Sequence, residues 1–597
     1  MKRIIFNLWI PLIALGMSSC LFQDDFDKEL SIGQSTGETK VFFGKPDSIA
    51  YRYVTTQNGL ESSVATLKDK LVLNQLLSAQ YALRGGKNGD YPGPHAYQFQ
   101  FSLQIDNYAG YFTAPQNFSG RLPDTYFDSE DFNGGAMGSF AQAKNFLTPV
   151  LNHPQIDSIP EIKAVTLLLF NFGSQEVADI YGPFPYVDYK MNKQEHPFAY
   201  NDLETIYGTI VSNIDSITAC FRYFELKPDY YKKVVNELLA EYDKISPDPN
   251  AGNFGYWLRF ANSLKLRMAM NLVKKRPDLA KKWAEEAVEN GVIESPEQQF
   301  MLKSALVGEH PLRTISELWN DTRLNASFEA IMKAYKHPAL EFLFTKNSEN
   351  IYAKEGTVCK KDSMIVGIRA GLTMMAGQSY DANFRVAYSK LSEAISQMNN
   401  FVMKLSEVHF LRAEAALRGW NMGGSAADFY SKGIRYAYSG TNIWKPNEDW
   451  SAEIFFDKEF VDKYLDAYMA IEKAADVIYQ DPADPANNAP CMLKVGVKWD
   501  ETDDNETKLE KIITQKWIAG FPYSFGAWTD LRRTGYPRIF PVARGDGSIT
   551  DGLIRRIPYN DKEDLDKKDI QSTAIPALGG PDLQGTRLWW DVEAPNF

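Results

Sequence analysis

The sequence predicts a mostly α-helical protein, in which irregular helix pairs of the tetratricopeptide type support a loop-rich half with few, short strands. Three observations predict it. "YWLRFANSLKLRMAMNLV" sets Trp257, Phe260, Ala261, Leu264, Met268 and Leu272 three and four residues apart, the spacing that lines one face of a helix. A second helix follows at once: Pro277 suits a first helical turn, Ala280, Trp283, Ala284 and Ala287 repeat the spacing, and Gly291 ends it. The unit then returns, with Val408, Leu411 and Ala415 on one stripe, a turn through "NMGG", and Ala427, Tyr430, Ile434 and Ala437 on the returning helix. Alanines at such contacts let two helices approach closely, and antiparallel pairs of about 34 residues are the tetratricopeptide unit.

Taken in order, the chain opens with "MKRIIFNLWIPLIALGMSSC", a basic start and an apolar run that is too short to span a bilayer, which reads as a secretory leader over residues 1–19. Gly16, Ser18 and Ser19 before Cys20 resemble the lipobox of bacterial lipoproteins, with Met17 where leucine is usual; Cys20 is the expected lipidated first residue. Residues 20–60, including the acidic "LFQDDFDKE", read as a tether, and residues 61–597 as one domain. Further helices are expected over Val64–Leu83, Glu161–Asp179 and Asp202–Phe221. The repeat consensus is not met and the pairs lie far apart, so a continuous solenoid is not expected. Long insertions, "RGGKNGDYPGPHAYQFQ" at 84–100, "DSEDFNGGAMG" at 128–138 and most of 300–400, read as the working surface on a helical base.

Composition narrows the function. With 64 basic and 76 acidic residues, a formal net charge of −12 and no basic block, the chain has no nucleic-acid footprint. The four cysteines, Cys20, Cys220, Cys359 and Cys491, form no C-x-x-C unit, and neither H-E-x-x-H, a Walker A loop nor G-x-G-x-x-G occurs. "DETDDNET" at 500–507 offers oxygen ligands to calcium but lacks the glycine and final glutamate of an EF-hand, so a solvated acidic loop and no cofactor are expected. No motif points to catalysis, and nothing specific marks a pair of carboxylates for glycoside hydrolysis.

Two motifs bring a resemblance. "EVADIYGPFPYVDY" is similar to the "D-x-x-G-x-x-P-Y" segment of SusD/RagB-family lipoproteins, and "KWIAGFPYSFGAWTDLRRTGYP" resembles their C-terminal signature, with Gly526 where a glutamate is common. "LSEVHFLRAEAALRG" looks like the penultimate repeat helix of the same family, and "YPGPHAYQ" like a segment of one subgroup. The likeness covers roughly residues 60–597, and it implies a SusD-like fold. It further implies a non-catalytic lipoprotein, anchored in the outer membrane and facing outward. Such a protein binds a nutrient, usually a glycan, for a SusC-like TonB-dependent transporter. Peptide capture in the manner of RagB and a surface glycoside hydrolase are the alternatives.

The shared signatures more naturally specify the fold than the ligand. Trp517, Phe521, Phe525 and Trp528 are therefore read as core, and Arg532 and Arg533 as partners of nearby carboxylates or carbonyls. A pyranose has an apolar face and a hydroxyl rim, so its site needs exposed aromatic planes flanked by polar side chains. The family's ligand surface corresponds loosely to 84–111 and 310–380. In the first segment Tyr91, His95 and Tyr97, with Arg84 and Asp90, are the candidates; in the second they are Trp319 and Asn320, beside Asp321 and Arg323. The loop holding Trp444 and Trp450 is the fallback. His337 and Ala339 break the "DPR" pattern common near this point, so nothing is carried over there.

Overall fold

The computed structural model describes residues 49, 56–69, 72–86, 93–116, 118, 126, 131–249, 252–347, 350–352, 358–360, 363–372, 386–437, 458–542, 552–560 and 564–597. The leader, Cys20, most of the tether, Asp90, Tyr91, Trp444 and Trp450 lie outside the described residues. Helix α1 (Gln57–Asp69) begins inside the stretch read as tether, and together with α2 (Val72–Ala82) it occupies the segment expected as a single helix.

From there helices pair in sequence order. α3 (Gly135–Leu151) packs on α2, α4 (Pro160–Tyr181) on α3, and α5 (Leu203–Phe224) runs back along α4, while α6 (Asp229–Tyr242) lies against α1 and α2. α7 (Phe254–Asn271) pairs with α8 (Pro277–Asn290), and α9 (Leu405–Leu417) with α10 (Ala426–Arg435). Pro277 starts α8 and Gly291, at φ 102°, closes it, a conformation in which a side chain would be strained. α7 also meets α5 and α9, so pairs distant in sequence share one core. α11 (Asn505–Gly520) docks on α9 and α10, and α12 (Ser524–Thr534) folds back against α11.

Strands are short and come as antiparallel pairs: β1 (Phe112–Thr113) with β3 (Arg323–Leu324), β2 (Phe300–Leu302) with β6 (Asn400–Met403), β4 (Asn350–Tyr352) with β5 (Val358–Lys360), and β7 (Ile478–Tyr479) with β8 (Ala489–Pro490). The architecture is thus mostly helical, as the periodicity predicts. No helix among the described residues is long and apolar enough to cross a membrane.

α4 is the centre of the core, buried from Pro160 to Tyr181. Each leucine-sized side chain on it removes enough apolar surface from water to contribute about 2 kcal/mol. Its charged residues are tolerated because each has a partner: Lys163 with Asp157 at 2.6 Å, Glu161 with Lys227 at 2.5 Å, and Asp179 with the Tyr207 hydroxyl at 2.6 Å and the Trp590 indole at 2.8 Å. The C-terminal aromatics seal this core. Trp517, Phe521, Phe525 and Trp528 are all buried. The Trp517 indole donates to the Ala109 carbonyl at 2.8 Å, and the Trp528 indole to that of Ile554 at 2.9 Å.

The two arginines that follow are structural. Arg532 stacks 3.7 Å over the Trp528 ring and donates to the carbonyls of Asp179 and Arg555 at 2.7 and 2.8 Å; burial pulls its guanidinium down to about 10, against the field of Asp179. Arg533 forks onto Glu414 with both contacts at 2.7 Å and reaches Asp530 at 2.9 Å.

Candidate ligand-binding surface

The two insertions that the sequence singles out converge. β1 pairs with β3, setting Phe112 opposite Leu324 and Thr113 opposite Arg323, and the Asn325 amide donates to the Thr113 hydroxyl at 2.9 Å. A few residues away the Asp321 carboxylate accepts from the amides of Gln98, at 2.8 Å, and Gln116. The short helix Pro94–Tyr97 packs against Pro311–Arg313 and the π-helix Thr314–Leu318. It runs directly into a second π-helix, Gln98–Ser102. π-turns are rare and concentrate at functional sites, because the wide turn re-aims side chains.

Helical geometry in the first segment sorts the candidates. Tyr97 and Phe101, four apart, face the core with ring centroids 5.0 Å apart, whereas His95 and Phe99 form a second pair at 4.8 Å on another side. His95 is exposed. Phe99 meets Phe132 edge-on at 5.6 Å and Phe132 meets Phe118 at 5.8 Å, a small cluster separate from the main core.

Two candidates are therefore corrected. Tyr97 is only 3% exposed, with its ring 5.3 Å from that of His310, and burial pushes its hydroxyl well above the ordinary tyrosine range. The "YPGPHAYQ" stretch reads as an open loop in sequence, but Pro94 starts a helical turn there that carries Tyr97 inward. Arg84 is 0% exposed and also leaves the ligand list. Its guanidinium lies between the rings of Phe172 and Tyr523, forks onto Glu176 at 3.0 and 3.1 Å, and donates to the carbonyl of Phe401 at 2.9 Å. A buried cation with its donors so committed is a brace. Gly85, at φ 79°, makes the turn after it so tight that a Cβ there would lie 2.8 Å from the Tyr97 nitrogen.

The second segment supplies the exposed plane. Trp319 follows the π-helix, its backbone N–H donating to the Thr314 carbonyl at 2.9 Å, and its side chain is 38% exposed next to Leu318 at 63%. Asn320 takes a left-handed conformation at φ 59°, which asparagine tolerates better than most residues, and its side-chain oxygen accepts from Arg323 at 3.0 Å. Arg323, itself buried, also donates to the Thr322 carbonyl at 2.9 Å, so the turn bearing Trp319 is held from below. Arg313 beside it binds Glu309 at 2.6 Å. His310 is kept neutral, its imidazolium pulled down to about 3 by burial, and accepts from the Leu312 N–H at 3.2 Å.

The surface thus presents Trp319 and Leu318 with Asn320 and Asp321 beside them, over the buried amides of Gln98 and Gln116, and His95 is exposed on the adjoining helical turn. Leu318 and the Phe99–Phe132–Phe118 cluster are absent from the sequence-based candidates; the alternation of Phe99 and Phe101 is the one signal that could have marked them. Elsewhere, the acidic run at 500–507 is the turn that leads into α11 and its first residues. Asp504 caps it by accepting from Thr507 at 2.7 Å, Asp503 pairs with Lys511, and Asp500 accepts from Thr502 at 2.8 Å. Among the described residues no three His, Cys, Asp or Glu side chains group as metal ligands.

Residues 57–591 match the SusD-like family, described as the SusD and RagB outer membrane lipoproteins. The chain belongs to that family. Among solved structures, this SusD-like chain is similar to a chitin-binding SusD homolog from Flavobacterium johnsoniae, with 30% identity over 90% of this chain and 100% of the other and a TM-score of 0.72. A SusD-like protein from Bacteroides thetaiotaomicron is 27% identical over 87% and 99% of the two chains, with a TM-score of 0.70. A SusD homolog from Bacteroides ovatus is 26% identical over 88% and 99%, also at 0.70. No curated protein matches the chain.

Proposed function

We propose that this SusD-like protein is anchored by lipid on Cys20, faces outward from the outer membrane, and captures an oligosaccharide for a SusC-like TonB-dependent transporter. It works by binding and not by catalysis. The single observation that carries the glycan reading is the exposed Trp319 ring on a braced turn, next to Leu318, Asn320 and Asp321, where two distant segments meet. A sugar ring laid on the indole covers its apolar C–H face, and the amides and carboxylate then meet hydroxyl or acetamido groups at the rim. Asp90 and Tyr91 lie in the same insertion and belong to the proposal as flanking contacts.

The chitin-binding relative makes N-acetylglucosamine oligomers the first class to test. Titration calorimetry of the purified protein against chito-, xylo-, manno- and malto-oligosaccharides and a peptide library should give heat with at least one glycan. Binding of peptides and of no glycan would replace this reading with peptide capture. Release of shorter sugars from a polysaccharide would replace it with hydrolysis.

A further inference from the structure

A cavity of about 360 Å³, its open mouth included, lies where α9, α11 and α12 meet, on a part of the molecule built from other elements than the candidate glycan surface. Its wall carries Lys404, Ser406, Glu407, Lys516, Tyr523 and Asp530, and is completed by small residues including Gly526. A Cβ added at Gly526 would meet nothing within 4 Å, so that wall is open.

The charges around this space do not balance locally. Glu407 is taken by Arg267, whose Nε and Nη2 reach it at 2.7 and 2.9 Å. Asp530 is taken by Lys516 at 2.8 Å and Arg533 at 2.9 Å. Lys404, only 4% exposed, is left over: its ammonium donates to the Ala519 carbonyl and lies 4.9 Å from the Phe401 ring, and no carboxylate among the described residues comes within ion-pair distance. An ammonium has three donors, so two remain for whatever occupies the cavity. Burial pulls Lys404 down to about 7, with only the field of Glu407 opposing it.

We propose that this cavity binds a small monocarboxylate of formate or acetate size, held by the spare donors of Lys404, with Ser406 also in the wall. The enclosed part is small and the rest of the space opens to solvent, so a carboxylate head can enter with any methyl group toward the mouth, whereas a sugar ring is too large. A multiply charged anion is disfavoured by Glu407 and Asp530 in the wall. The groups lining the cavity with Lys404 are Glu407 on α9, which Lys404 precedes, Lys516 on α11, Asp530 on α12, and Tyr523 between α11 and α12, whose hydroxyl burial keeps protonated. Lys404 is the one whose ammonium is brought near neutrality.

The test is NMR line broadening of ¹³C-acetate and ¹³C-formate by the full-length chain in detergent, at constant ionic strength. An ammonium titrating near 7 is about nine-tenths charged at pH 6 and one-tenth at pH 8, so the acetate Kd should weaken about tenfold between them. Lys404→Met should abolish the broadening. Lys404→Arg should keep it but remove the pH dependence, since a guanidinium stays charged. Gly526→Glu, which adds a tethered carboxylate to the open wall, should block acetate and raise the melting temperature. Glucuronate, phosphate and equimolar chloride should not displace acetate. Unchanged broadening in Gly526→Glu, equal binding at pH 6 and 8, equal displacement by chloride, or no broadening with the wild-type chain would each overturn the proposal. If Lys404→Met does not fold, the Arg and Gly526 variants decide the matter by themselves.

Discussion

Replacing Trp319 by alanine is the sharpest perturbation of the proposed glycan surface. Trp319 is 38% exposed, and a tryptophan presents at most about 250 Å² when bare, so roughly 95 Å² of indole is free for a ligand. A sugar covers one face of it. Covering half to all of this area at about 25 cal/mol per Å² contributes about 1–2 kcal/mol, or a roughly 5- to 30-fold change in Kd. Rim hydrogen bonds add less, because they exchange for bonds to water and each is worth about 1 kcal/mol. Calorimetry with whichever oligosaccharide binds the wild type should therefore show a Kd raised by that factor in Trp319→Ala and by less in Trp319→Phe. Because Arg323 braces the turn through the Thr322 carbonyl and Asn320, the variant should keep its helical circular dichroism and melt close to the wild type. A folded Trp319→Ala variant with unchanged affinity would refute the placement and move the site to another loop, first to the one containing Trp444 and Trp450.

Cys20→Ala should shift the protein from the membrane to the soluble fraction and end incorporation of labelled palmitate; a variant that stays membrane-bound and labelled refutes lipidation there. Burial raises the Asp106 carboxyl from 3.8 to about 7, so the folded state holds its proton more tightly and stability falls as pH rises from about 4 to 7. Asp106→Asn should accordingly recover up to about 4 kcal/mol in urea unfolding at pH 8 and little at pH 4, and equal stability of the two proteins at pH 8 would refute this. Glu414 behaves oppositely: burial would raise it, but Arg533 and Arg418 outweigh that and hold it at about 2, below its ordinary 4.5. That stabilisation is present above pH 4.5 and lost as pH falls through 2. Glu414→Gln should cost about 3 kcal/mol at pH 7, the difference closing toward pH 2 in the same unfolding assay.

Local periodicity carried the scaffold. The spacing of Trp257, Phe260, Leu264 and Met268, with Pro277 and Gly291 as stops, is enough to place α7 and α8, because a helix buries one face at a fixed repeat whatever it packs against. The break between α1 and α2 was not legible, since the apolar pattern runs through it. Within the candidate surface Trp319 and His95 are exposed, whereas Tyr97 and Arg84 are buried. An aromatic or arginine in a Gly- and Pro-rich stretch looks the same in sequence whether it faces water or core. Its direction depends on a single turn beginning at Pro94 and on a carboxylate, Glu176, 92 residues away.

By itself the sequence determined the helical class, the family, and the core role of the Trp517–Trp528 stretch. These rest on composition, short-range spacing and contiguous motifs, all properties of neighbours along the chain. Only the tertiary structure decided that residues 94–116 and 310–325 come together, that Arg84 and Tyr97 lie beneath them, and that Lys404 lines a cavity with no carboxylate among the described residues within ion-pair distance. Those facts depend on long-range pairing, where burial and charge balance are set by residues hundreds of positions apart.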